Sequence, residues 1–127
     1  MDGDRDVLIT SSVMGEAFVL NNDGAGALSF GSVIVFPEAP WAGALGDFDL
    51  DGDPDLAVAV YSGNSVTVLE NDGAGQFASG LTVAVGQQSH QIVAVDRDGD
   101  GDLDLATAND AEALVTVLIN REVPVSV

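Results

Sequence analysis

Thirteen aspartates in three short runs are the residues of this chain best placed to do chemistry. They are Asp2, Asp4 and Asp6; then Asp47, Asp49, Asp51, Asp53 and Asp55; then Asp96, Asp98, Asp100, Asp102 and Asp104. The second run, Asp47-Phe-Asp49-Leu-Asp51-Gly52-Asp53-Pro-Asp55, puts carboxylates at loop positions 1, 3, 5 and 9 and Gly at 6, and the third has the same layout around Gly101. In an extended segment alternate side chains would diverge; a sharp turn at the glycine instead wraps them around one centre. Carboxylates at that density repel one another unless a cation sits among them. Oxygen donors without His or Cys point to a hard cation, and Ca²⁺ takes roughly 6–8 oxygens at about 2.3–2.6 Å, whereas Mg²⁺ keeps several waters. The spacing predicts Asp47, Asp49, Asp51 and Asp55 as side-chain ligands of one Ca²⁺, and Asp96, Asp98, Asp100 and Asp104 of a second. Asp53 and Asp102, at position 7, would offer backbone carbonyls. The first run begins at position 5, so Asp2 and Asp6 would give carboxylates and Asp4 a carbonyl, too few without help. A solvated acidic turn is the plain alternative, but it does not explain why layout and glycine recur together.

Little else suggests catalysis. His90 is the single histidine and aligns with Trp41 one repeat earlier, so the position asks for no base; a packed or rim histidine is expected. The metal loops absorb the paired carboxylates that a glycosidase would need. The chain has no lysine for a Schiff base, and Gly24-Ala-Gly26 and Gly73-Ala-Gly75 lack the following helix and Lys of a phosphate loop. Trp41 and Tyr61 could stack on sugar rings, though as singletons they read as packing or rim residues. No enzyme is expected.

The elements that must hold these residues follow from an internal repeat. The Asp-Gly-Asp cores at Asp2, Asp51 and Asp100 stand 49 residues apart, and Asn22-Asp-Gly-Ala-Gly26 returns at the same offset as Asn71-Asp-Gly-Ala-Gly75. Val66-Thr-Val-Leu69 returns as Val115-Thr-Val-Leu118. The chain is about 2.6 copies of one unit, with units at 1–49, 50–98 and 99–127. Residues 56–61 are an apolar run of the kind expected for a strand buried on both faces. A turn at Ser62-Gly63-Asn64 leads into a second strand at 65–70. The Asn-Asp-Gly turn makes a hairpin, its glycines supplying positive φ. Phe77, Leu81, Val83 and Val85 share one parity, a half-buried strand, and residues 91–95 run into the next acidic loop. A helix over 109–118 is the competing reading; alignment with the turn and strand at 60–69 argues against it. The fold class is therefore all-β, with propeller-type blades of four short antiparallel strands.

Composition narrows the partners. The chain has 127 residues, 21 acids against three arginines, and a formal charge of −18. At 46% hydrophobic residues it is too apolar for a disordered acidic tail. Nucleic acid is excluded as a partner because affinity there comes from Lys and Arg on phosphates, and anionic membrane surfaces fail likewise. No run approaches the ~20 residues of a membrane span, so no membrane insertion is expected. No charged-then-apolar segment of the signal type follows Met1, so any export signal is expected to have been removed or never to have belonged to this chain. The absence of cysteine excludes disulfides and thiolate sites.

The loop is like the first half of an EF-hand loop, but Val58 and Thr107 stand where the twelfth-position Glu would be, and strands flank it. With the apolar run after each loop (Leu56-Ala-Val-Ala, Leu105-Ala-Thr-Ala) and the Asn-Asp-Gly-x-Gly turn, the chain resembles the FG-GAP/VCBS repeats of integrin-α-type β-propellers over nearly its whole length. The resemblance implies that the loop follows the innermost strand of a blade and binds Ca²⁺, and that propeller surfaces serve adhesion, carbohydrate or protein binding. Propellers close with ~4–8 blades, so 2.6 units are not expected to close a ring alone. The expected protein is an extracellular, calcium-binding structural or adhesion module. It would form a homo-oligomer or filament through blade-edge strands, the tail Val123-Pro-Val125-Ser-Val127 adding to a neighbour's first unit. A calcium-dependent lectin, or a piece of a longer adhesion propeller, is the alternative.

Overall fold

A computed structural model describes residues 4–120. Ten strands form three antiparallel sheets, each a meander in sequence order. The first holds β1 (Val7–Ser11), β2 (Glu16–Asn22) and β3 (Leu28–Val35). The second holds β4 (Pro40–Gly46), β5 (Asp55–Val60), β6 (Ser65–Asn71) and β7 (Phe77–Ala84). The third holds β8 (Ser89–Val95), β9 (Asp104–Asn109) and β10 (Leu114–Leu118). The 49-residue period is carried by the backbone: β6 repeats β2, β7 repeats β3, β8 repeats β4 and β9 repeats β5, each at that offset and equal length. The four-stranded blade read from the sequence is complete in the second sheet. Among the described residues, the first sheet has no counterpart of β4 and the third none of β7.

The stretch over 109–118 is a single turn of 3-10 helix, Asp110–Glu112, and then β10. The turn closes because Ala113 is left-handed (φ +51°) and its N–H donates to the Asp110 carbonyl. Gly15 (φ +70°) and Asn64 (φ +49°) hold the same repeat position.

Why the blades stack is clearest at β5, whose six residues are all buried. Alternation sends its side chains to two sides. Leu56, Val58 and Val60 join Ala17, Phe36 and Leu69 in a core against the first sheet; Ala57 and Ala59 join Phe48, Val66, Ile92 and Leu105 in a core against the third. Truncating the fully buried Leu56 to Ala would cost roughly 3 kcal/mol. Strand β4 needs small residues: a Cβ on Gly43 would lie 2.6 Å from Leu8 Cδ2, and one on Gly46 2.6 Å from Leu103 Cδ1. The outward faces of the end sheets stay apolar and exposed, with Val7, Ile9, Val33 and Val35 on the first and Val93, Val95, Val115 and Val117 on the third.

Candidate metal centre

Each complete acidic loop joins the first strand of its sheet, an edge strand, to the next: residues 47–54 link β4 to β5, and residues 96–103 link β8 to β9. The loop is folded by its own carboxylates. Asp47 Oδ1 accepts the N–H of Asp51 at 3.1 Å, and its Oδ2 that of Gly52 at 2.9 Å. Asp49 Oδ1 accepts Asp51 N–H at 3.2 Å, and Asp51 Oδ1 accepts Asp53 N–H at 2.9 Å. Gly52 sits at φ +95° with open space where a Cβ would go, so the glycine is there for its backbone conformation. The second loop repeats the pattern with one shift: Asp96 takes the N–H groups of Gly99 (2.8 Å), one position earlier than in the first loop, and of Gly101 (3.0 Å). Asp98 takes that of Asp100, and Asp100 that of Asp102. Leu50 stands at φ +61° where the second loop has Gly99 at +77°.

The folding of the loop gathers carboxylates. Oxygens of Asp47, Asp49 and Asp55 lie within 4.8 Å of one another, as do those of Asp96, Asp98 and Asp104. Asp51 and Asp100 stand beside these trios, each against the carboxylate two residues before it. Desolvation pushes the Asp49 carboxyl up to about 6, with repulsion from Asp55 and Asp51 adding to it. Asp98 is raised for the same reasons, desolvation first and then Asp100 and Asp104. Asp104 is held low, chiefly by the N–H of Arg97 and then that of Asn120. A cluster whose members resist joint ionisation fits a divalent cation, which would relieve the repulsion. The donor set, all oxygen and all carboxylate, fits Ca²⁺.

Not every predicted ligand joins the trios. The Asp53 carboxylate lies over the Asn-Asp-Gly turn, its Oδ2 2.8 Å from where a Cβ of Gly73 would stand, and Asp4 stands in the same way over Gly24. Both sit at position 7, where only the carbonyl was expected to serve. Asp102 is buried. Asp6 binds the N–H of Asn22 at 2.9 Å. Asp2 falls outside the described residues, as does the tail at 123–127.

Sequence reasoning missed one cluster. Trp41, Tyr61 and His90 come together at the far end of the strands from the acidic loops, with ring centroids 4.9–5.2 Å apart. The available signal was the 49-residue offset, which pairs Trp41 with His90 and Tyr61 with Asp110.

A family model described as an FG-GAP-like repeat matches residues 1–58 and again residues 47–107. No curated protein matches the chain.

Proposed function

The chain belongs to the FG-GAP-like repeat family, and from that premise we propose that it is a non-enzymatic β-propeller repeat module whose two complete acidic loops each hold one Ca²⁺. The observation that carries this reading is the convergence of Asp47, Asp49 and Asp55, repeated 49 residues later by Asp96, Asp98 and Asp104. Asp51 and Asp100 complete each set as side-chain ligands, and Asp53 and Asp102 add carbonyls. The partial run of Asp2, Asp4 and Asp6 binds an ion only when another segment or chain supplies donors. Calcium fixes each loop between the first strand of its sheet and the next and so stiffens the blade. Loops of this chemistry often bind at about 10⁻⁴–10⁻³ M, the range of calcium outside cells, which supports a secreted or surface location. Among the described residues no helix is long and apolar enough to cross a membrane.

The module works by self-association, as a structural or adhesion element. Support comes from the two exposed apolar faces. By repeat position, the open face of the third sheet matches the second-sheet face that the third covers. The open face of the first sheet matches the second-sheet face that the first covers. A second copy could therefore stack head to tail using contacts already made twice within one chain. Calorimetric titration with Ca²⁺ tests the metal reading: two ions per chain are expected, and none would overturn it.

A further inference from the structure

The end of the blades opposite the acidic loops carries a second construction, made of Trp41, Tyr61, His90 and Asp110. Trp41 is the second residue of β4 and His90 the second of β8. At both, the register with the adjoining strand slips, between Pro40 and Ala42 and between Ser89 and Gln91. Such a bulge takes one residue off the ladder and re-aims its side chain. Tyr61 and Asp110 follow the ends of β5 and β9, and each is tied back by its own N–H, Tyr61 to the Ala39 carbonyl (3.2 Å) and Asp110 to that of Gln88 (3.0 Å). The same backbone device thus presents two aromatic rings on one blade, and an imidazole and a carboxylate on the next.

Because β4 and β8 lie against each other where the second and third sheets stack, the four side chains meet across the blade junction. His90 stacks on Tyr61 at 5.0 Å with planes 15° apart, and Trp41 leans on both at 31–35°. His90 Nδ1 lies 3.5 Å from Asp110 Oδ2. Trp41 remains 44% exposed, and the Asp110 side chain 70%. Apart from the rings, the Trp41 backbone is fixed from the first blade, Thr10 Oγ1 donating to its carbonyl at 3.0 Å. An exposed indole on a rigid footing, with a hydrogen-bonding pair beside it, matches a ligand having one apolar face and a polar edge. Ring centroids only 4.9–5.2 Å apart leave no room for an ammonium group between them, which disfavours a quaternary ammonium cage. A chain of charge −18, with Asp110 at the site, disfavours phosphate, sulfate or uronate groups.

We propose that this platform binds the pyranose ring of a neutral saccharide. The C–H face stacks on Trp41, and the ring hydroxyls bond to Asp110 and His90. The site does not depend on the metal loops, which lie a strand length away, about 20 Å.

Trp41 is the single tryptophan, so its emission reports the site directly. The full chain in Ca²⁺ would be titrated with methyl glycosides of galactose, glucose, mannose and N-acetylglucosamine, with choline chloride alongside. The expected result is a saturable change in emission with at least one glycoside, with a dissociation constant on the order of 1 mM. Saturation transfer from the aromatic protons should reach the sugar ring protons. Asp110→Asn should weaken binding several-fold with an unchanged circular dichroism spectrum, and Trp41→Ala should abolish saturation transfer. Should Trp41→Ala fail to fold, Asp110→Asn and Trp41→Phe, which keeps a ring, decide the matter. No saturable response to any glycoside, binding indifferent to Asp110→Asn and Trp41→Ala, or a response to choline alone would each overturn the proposal.

Discussion

Asp55 and Asn71 stand sixteen residues apart and are joined across the sheet, the Asp55 Oδ1 accepting the Asn71 N–H at 3.0 Å. The other oxygen of Asp55 takes the N–H of Phe48 at 3.0 Å. Asp104 does the same with Asn120 (2.8 Å) and Arg97 (2.9 Å). Asp6 keeps the strand-end half of this arrangement through Asn22. In the two complete loops the last aspartate therefore pins the loop to an asparagine of the same sheet's third strand or just past it, Asn71 or Asn120, as well as facing the proposed metal. The two roles separate experimentally. Asp6→Ala, in the partial run, should lose about 2 kcal/mol, the scale of a hydrogen bond to a charged group, equally with calcium or chelator. Asp51→Ala loses its hydrogen bond to the Asp53 N–H in either condition and should cost clearly more stability with calcium than with chelator. Urea unfolding of both variants in each condition checks this.

Calcium itself should raise the midpoint of thermal unfolding. A ligand that binds only the folded state stabilises by RT ln(1 + [L]/Kd), about 2.7 kcal/mol per site at one hundred times Kd. Two divalent ions would also bring the formal charge of −18 to −14. Scanning calorimetry across a Ca²⁺ titration should show a rising Tm, and chelation should reverse it. Asp51→Ala and Asp100→Ala should each remove one ion from the stoichiometry.

Ala113 holds a left-handed conformation that costs an L-residue about 1 kcal/mol or more. Glycine occupies the equivalent place in the first blade, at Gly15. Ala113→Gly relieves the strain and gives back part of the gain through the greater freedom of the unfolded chain. The net expectation is about 0.5 kcal/mol of added stability, a Tm rise of roughly 2 °C. Gly15→Ala should move Tm the other way.

The period and the acid spacing made most of this fold legible in the sequence, because each blade repeats both its strands and its turns. The apolar run at Leu56 to Tyr61 announces a strand covered on two sides, and β5 is so covered. By contrast β4 is poorly marked. Its Gly43 and Gly46 are selected by the close approach of Leu8 and Leu103, contacts that no local pattern contains. Convergence of Asp47 and Asp49 with Asp55 follows from the glycine turn. The turning of Asp53 onto Gly73 does not, since it depends on where the hairpin 20 residues later folds back. Trp41 and Tyr61 read as isolated because they are separated along the chain; β4–β5 pairing, two bulges and the stacking of the third sheet on the second bring them to each other and to His90.

The last expectation concerns the two open faces. Val93 is 55% exposed, though its counterpart in the second sheet, Ala44, packs against the core shared with the third. On the first sheet Val7 and Ile9 are exposed where the second has the fully buried Leu56 and Val58. Contiguous apolar faces of this kind mark association surfaces. Joining the open face of one copy's third sheet to the first sheet of the next is a head-to-tail contact, which gives a ring if the rotation closes and a filament if it does not. Light scattering in millimolar calcium should therefore give a mass above the 12.9 kDa of one chain. Because Val93 and Ile9 are exposed, Val93→Asp or Ile9→Asp should leave the folded chain and its calcium stoichiometry intact. Either should return it to monomer, since each blocks one of the two complementary faces. Mixing the two variants sharpens the test. Val93→Asp keeps a sound first-sheet face and Ile9→Asp a sound third-sheet face, so the pair should form a dimer and stop there. A wild-type chain that stays monomeric, or a mixture that gives no dimer, would count against head-to-tail stacking.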